Sequence, residues 1–440
     1  MNKHRTRVHG LILATVAFLA PAFVSPIAQA QTSDVTAAGF SPQKLERVTA
    51  ALKEAVEKKQ VAGVSFLVAR RGKVVYNTAV GMRDAEAQIP LAEDTIFRIA
   101  SMSKPITSVA AMILIEEGKL NPDDPLSKFV PEFKDMQVLV PDQEGKSFEL
   151  VKAAREITIH DLLTHTSGLT YRLINKPFLG DMYAKAGVCD GIVEAEGTIA
   201  DNVRKLAKLP LTSQPGAAWE YGLNTDVLGY VIEVVSGKSL EEFCRERLFQ
   251  PLKMNDTCFV LSKEKQPRLS ALYKQDGDQK ISRVGNEPVT VGNFVYSATY
   301  PTHEDSRYYS GGGGLVSTQR DYLRFCQMLL NRGELDGVRV LKAENVDRMT
   351  RNQIDQLQLP QPGYDAFGYG FGILTEKGKQ LSKDPGGVGS YAWAGAFGTR
   401  FWIDPKNELI GVFMVQSTPP DFTLSENVKT MVYEAMTEAK

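Results

Sequence analysis

Ser101 and Lys104 stand three residues apart at the mouth of a run that is almost wholly apolar from Ile106 to Ile115. A serine hydroxyl is a weak nucleophile until a base lies beside it. Pro105 fits the first turn of a helix, where a missing N–H costs nothing. Three-residue spacing on that turn puts both side chains on one face. A lysine placed there serves as the base if its pKa is pulled down, and partial burial and the positive end of the helix both act in that direction. The same Ser-x-x-Lys spacing recurs at Ser41…Lys44 and Ser262…Lys265. Ser41 precedes Pro42 and a charged amphipathic stretch, which is the pattern of a helix N-cap. Ser262 lies in a solvated Lys-Glu-Lys-Gln-Pro loop. Of the three, Ser101 alone opens a core-seeking helix.

Other chemistries find less support. His160, His165 and His303 form no zinc motif, and both His160 and His165 read as packing residues near a helix end. Gly311 to Gly314 lack the Gly-Lys-Ser/Thr ending of a phosphate loop and read as a closely packed turn. No Gly-x-Ser-x-Gly elbow is present, which argues against an α/β-hydrolase. Cys189, Cys244, Cys258 and Cys326 show no metal spacing; a Cys244–Cys258 pair is open in an oxidising compartment. The pattern calls for no cofactor and no metal.

The elements that must position Ser101 follow from periodicity. Residues 41–58 repeat apolar positions at helical spacing, and 63–69 and 73–80 are β-rich runs joined by a tight turn. Residues 137–155 read as a polar excursion, 158–168 as a short helix ended by glycine, and 171–197 as a loop region lining a pocket. Helices are expected at 198–209, 227–235, 239–249, 319–331 and 343–352, with short strands and turns over 257–293. Strands follow at 368–375, 398–404 and 409–416, then a last helix at about 425–438. Strands at both ends and helices between them predict one sheet assembled from the two ends, with a helical layer inserted.

The 440 residues carry a formal net charge of −1, which gives no basic footprint for nucleic acid. Lys3, His4, Arg5 and Arg7, the apolar run 11–24 and Ala28-Gln29-Ala30 have the layout of a signal peptide, so residues 1–30 are expected to be removed and the rest exported to the periplasm or beyond. No later segment reads as membrane-spanning.

Five stretches together resemble the serine β-lactamase and penicillin-binding-protein superfamily, nearest to class C-like β-lactamases and family VIII carboxylesterases. They are Ser101-Met-Ser-Lys104, Asp161 to Gly168, Tyr221 with Asp226-Val-Leu-Gly229, Gly311 to Ser317 with Asp321 to Phe325, and Trp393-Ala-Gly395 before Gly398 to Trp402. The resemblance covers about residues 41–438. It implies an α/β (α+β) transpeptidase-like fold: an antiparallel sheet from about 41–95 and 360–440, flanked by helices, with a mainly helical region at about 96–359, all within a single domain over 31–440. It implies Ser101 as an acyl-forming nucleophile. Lys104 and Tyr221 would manage its proton, either one being the base. The N–H groups of Ser101 and Ala396 would form an oxyanion hole beside Trp393 and Gly395.

Departures from the family pattern select among its activities. Trp393 and Ala394 replace the lysine and threonine of Lys-Thr-Gly, so the grip on a β-lactam carboxylate is lost. Leu223 replaces the amide-holding asparagine of Tyr-x-Asn, and Asn224 substitutes for it only if the loop shifts. These swaps favour a small-molecule ester with an apolar acyl group. The alternatives are a β-lactamase or peptidase, an acyltransferase on the same site, or a catalytically silent recognition module. Oligomeric state is not legible.

Overall fold

The computed structural model describes residues 32–437 apart from 175, 277–279, 356, 358 and 360–363; the expected signal segment lies outside the described residues. Its main sheet is antiparallel and eight-stranded. In spatial order the strands are Ala366–Phe367, Gly372–Ile373, Tyr391–Ala394, Arg400–Asp404, Leu409–Met414, Gly63–Arg70, Lys73–Asp84 and Ile89–Pro90. The two chain ends meet where Gly63–Arg70 pairs with Leu409–Met414, in the register Ser65↔Met414 to Arg70↔Leu409. Every residue of both strands is buried, as expected of a sheet covered on both faces.

Alternation along Arg400–Asp404 assigns the two covers. Phe401 packs on Tyr322 of helix Gln319–Leu330, with ring centroids 5.0 Å apart. Its neighbour Trp402 points to the opposite face, against Phe66 and the Lys429 ammonium of helix Thr423–Ala435. That terminal helix lies beside Pro42–Glu57, which Ser41 caps by accepting from Lys44 N, so the first Ser-x-x-Lys is a cap. Helix Ser103–Glu116 is buried on all sides but its end and packs on Asn224–Ser236. A helix apolar all round belongs in the interior.

Several expectations are corrected. The polar excursion is a β-hairpin, Gln137–Pro141 with Phe148–Lys152; its outward apolar residues Val140, Phe148 and Leu150 hide the alternation. The 171–197 loop contains helix Leu179–Lys185. The short helix Ile159–Thr164 ends on His165, in the left-handed region at φ 59°, rather than on glycine. Of the expected strand at 368–375 only Gly372–Ile373 is strand, and it pairs with Ala366–Phe367 just ahead of that span. All four cysteines are free, so the Cys244–Cys258 pair is not formed. No helix among the described residues is long and apolar enough to cross a membrane.

Candidate active site

The chain reaches Ser101 through a clamped approach. Strand Phe97–Arg98 pairs with Val316–Ser317, and Ile99 N donates to Leu315 O at 3.1 Å. Buried Arg98 donates to Ser270 O at 2.7 Å and Gln416 Oε1 at 3.1 Å. Ala100 then adopts φ 42°, a region L side chains rarely occupy and one where strain gathers at functional sites. A single 3₁₀ turn, Ala100–Met102, carries Ser101 just ahead of helix Ser103–Glu116. On the far side, Ser103 Oγ accepts from Leu315 N at 3.1 Å, and the Tyr322 hydroxyl donates to Met102 O at 2.9 Å. Ser101 is thus half-exposed between fixed neighbours.

Lys104, 1% exposed, donates to Ser101 Oγ at 3.1 Å and to Gly312 O at 2.7 Å. Its Nζ lies 4.7 Å from the ring centre of Tyr221 and 5.2 Å from that of Tyr171, within cation–π range. Tyr221 is delivered by backbone pinning: Glu220 N donates to His165 O, and Leu223 N to Thr170 O. A Cβ at Gly222 would lie 2.2 Å from Leu169 O, so only glycine permits this approach. The Tyr221 ring sits among Trp219, His165, Tyr171 and Trp393, with centroids 5.1–5.8 Å away. Its hydroxyl accepts from Trp393 Nε1 at 3.4 Å. Among the described residues no hydrogen bond joins that hydroxyl to Ser101 or Lys104; the ammonium meets the ring face instead.

Trp393 stands on strand Tyr391–Ala394. That strand is interior at Tyr391 and Ala392, which pair with Ile373 and Gly372, and is paired on one side only from Trp393 onward. Among the described residues the second half of this strand therefore presents an unpaired edge. A Cβ at Gly395 would lie 2.4 Å from Ile99 O, so glycine lets the strand end close on the serine's approach. Ala396 packs against the hydrophobic cluster that includes Ala100 and Phe397, and its N–H has no acceptor among the described residues. The structure thus brings Ser101, Lys104, Tyr221, Trp393, Gly395 and Ala396 together.

Asn224 is committed elsewhere. It is fully buried, accepts from Ser167 Oγ at 2.5 Å and lies 2.9 Å from His165 Nδ1. Leu223 is a core residue, so neither supplies the missing amide. Burial and the Lys104 charge hold His165 well below the ordinary histidine pKa, so its imidazole is neutral and acts as packing. The serine and lysine of Ser262…Lys265 sit in a surface turn, with Lys265 N bonded to Ser262 O. Sequence reading missed the Gly312 carbonyl, Tyr171 and Ala100. The four-glycine run was a signal of close packing, but nothing in it named the lysine as the neighbour.

Two cavities, of about 330 and 470 Å³, flank residues 193–196 and share Tyr308; neither is lined by Ser101. Part of the expected 171–197 loop does line them.

The sequence profile of the Beta-lactamase family matches residues 48–431. Esterase EstB of Burkholderia gladioli is 33% identical over 369 residues, covering 81% of this chain and 86% of EstB. Lovastatin esterase of Penicillium rubens is 30% identical over 374 residues, covering 80% of this chain and 87% of that enzyme. The structure of EstCE1, described as a hydrolase with promiscuous acyltransferase activity, superposes with a TM-score of 0.77 at 27% identity, covering 91% of this chain and all of EstCE1. With a serine, a lysine and a tyrosine gathered as above, this chain is a serine hydrolase and belongs to the β-lactamase family.

Proposed function

We propose that the protein is a carboxylesterase that works through an acyl-enzyme on Ser101. The observation that carries this reading is the 3.1 Å hydrogen bond from Lys104 to Ser101 Oγ inside a wall of aromatic rings. Ser101 Oγ attacks the ester carbonyl while its proton passes to the Lys104–Tyr221 pair. The developing oxyanion is received by the N–H groups of Ser101 and Ala396. The proton then goes to the departing alkoxide, which leaves as the alcohol. Water, activated by the same pair, attacks the acyl carbonyl, releases the carboxylic acid and restores Ser101. Trp393 offers an apolar face where a carboxylate-gripping lysine would favour a β-lactam, and Tyr171, Tyr221 and Trp219 extend that apolar lining.

The test is a comparison of short-chain p-nitrophenyl esters with a chromogenic cephalosporin. Ester turnover is expected to exceed cephalosporin turnover by orders of magnitude; fast cephalosporin hydrolysis without esterase activity overturns the reading. Transfer to an added alcohol is a second reading, favoured by the likeness to EstCE1. It predicts that a primary alcohol diverts acyl groups from water to a new ester, measurable by the product ratio. The leader-like residues 1–30 support export, and a mature N-terminus near residue 31, read by mass spectrometry of protein recovered outside the cytoplasm, checks it.

A further inference from the structure

Across Gly312 from Lys104 lies a second buried ionisable group. Asp226, on the first turn of helix Asn224–Ser236, is 1% exposed. Its Oδ1 accepts from the Tyr308 hydroxyl at 3.2 Å, and Asn202 Nδ2 donates to that hydroxyl at 2.9 Å. Its Oδ2 makes no well-formed hydrogen bond among the described residues. A Cβ placed on Gly312 would lie 2.5 Å from this oxygen, 2.9 Å from the Tyr171 hydroxyl and 3.5 Å from Lys104 Nζ. One vacant side-chain position is thus ringed by a carboxylate, a phenol and the catalytic ammonium, and Gly312 O itself takes a Lys104 hydrogen bond.

We propose that Asp226 is a positioning residue for ester hydrolysis: its buried carboxylate, facing Lys104 across Gly312, sets how firmly Lys104 holds its proton. This rests on the acyl-enzyme reading above. A buried carboxylate without a full set of donors is costly unless a countercharge is near, and opposite charges within ~4–6 Å shift each other's titration. The groups facing Asp226 are Lys104 from the central helix, Tyr171, Tyr308, and Asp190 with Cys189 from the neighbouring loop. Those facing Lys104 from other elements are His165, Tyr171 and Tyr221. Burial pushes Asp226 up to about 6, against the pull of the Ser310 hydroxyl, Lys104 and Tyr308. Lys104 therefore faces a carboxylate that is itself part-protonated just below neutral pH.

Removing the carboxylate leaves the ammonium without that support, so Lys104 gives up its proton at lower pH. The experiment is the pH profile of kcat/KM for a p-nitrophenyl ester, together with fluorophosphonate labelling of Ser101. Asp226→Asn is expected to move the limb governed by Lys104 down by on the order of one pH unit, and Asp226→Glu to restore it in part. Tyr308→Phe, which weakens the anion without removing it, is expected to move the same limb the same way by less. It decides the matter if Asp226→Asn does not fold. Lower activity with an unmoved limb in the folded variants makes Asp226 a structural residue and overturns the proposal. Wild-type protein that neither labels nor turns over esters would instead sink the acyl-enzyme reading itself.

Discussion

Lys104 carries three ammonium hydrogens and finds two oxygen acceptors, Ser101 Oγ and Gly312 O, with the faces of Tyr221 and Tyr171 beside them. Such a lysine has little freedom to turn away from the serine, which is what a proton-handling group needs. Ser101→Ala is expected to abolish both ester turnover and fluorophosphonate labelling. Ser41→Ala removes the cap on Lys44 N and the hydrogen bond to Gln43 Oε1, and should cost ~1 kcal/mol of stability while leaving turnover intact; thermal melts and a rate assay separate the two serines. Asp190 provides a pH signature of the fold. It is 7% exposed, it accepts from Arg172 N and Leu173 N, and burial pushes it up to about 7. An unfolded aspartate titrates near 3.9. The native state therefore binds more protons between about pH 4 and about pH 7, and this group's stabilisation is full below that window and lost as pH rises through it. Asp190→Asn should remove that component, so that the wild-type Tm falls more than the variant's from about pH 5 to about pH 8; parallel Tm curves would refute it. That Ser101 and Lys104 are neighbours was legible because their three-residue spacing is local in the chain, whereas Tyr221 was singled out by the motif around it. Asp226 was visible as part of a motif, but its place behind Lys104 arises from helix packing that no spacing encodes.

Two elements hold the reacting centre in register, the kinked turn at Ala100 and the strand end at Gly395. Gly395→Ala would drive a methyl to 2.3 Å from Thr399 Oγ1 and 2.4 Å from Ile99 O. The strand must retreat, taking the Ala396 N–H with it. On the proposed acyl-enzyme reading this removes one oxyanion donor and predicts a fall in kcat on the order of a hundredfold, with overpacking costing ~1–3 kcal/mol; kinetics and a melt measure each. Amphipathic helices such as Pro42–Glu57 and buried strands such as Leu409–Met414 could be read from periodicity. Hairpin Gln137–Lys152 could not, because Val140, Phe148 and Leu150 face outward while Val138 and Leu139 face inward, and Phe148 packs on Phe178, distant in sequence. Helix Ile159–Thr164 was placed correctly but ended wrongly, since His165 takes the left-handed cap conformation that glycine usually supplies. Ala100 gave no signal at all: its positive φ lies between Ile99, tied to Leu315, and Met102, tied to Tyr322, partners more than two hundred residues away.

The last helix is fastened to the molecule by a buried ion pair. Lys429, 2% exposed, donates to both Asp384 oxygens at 2.5–2.7 Å. Lys429→Met strands that carboxylate, and is expected to cost ~3–5 kcal/mol, read as a lower urea midpoint; replacing both partners with apolar residues should recover much of the loss. The Ser65↔Met414 seam has a further consequence for synthesis. On the ribosome, strand Gly63–Arg70 emerges long before the partner that covers its flank, so hundreds of residues must wait with an open hydrogen-bonding edge. Stop codons placed before residue 409 should yield chains that aggregate or are degraded rather than shortened enzymes. A chaperone able to shield that edge during elongation would then govern how much enzyme a cell obtains from each message.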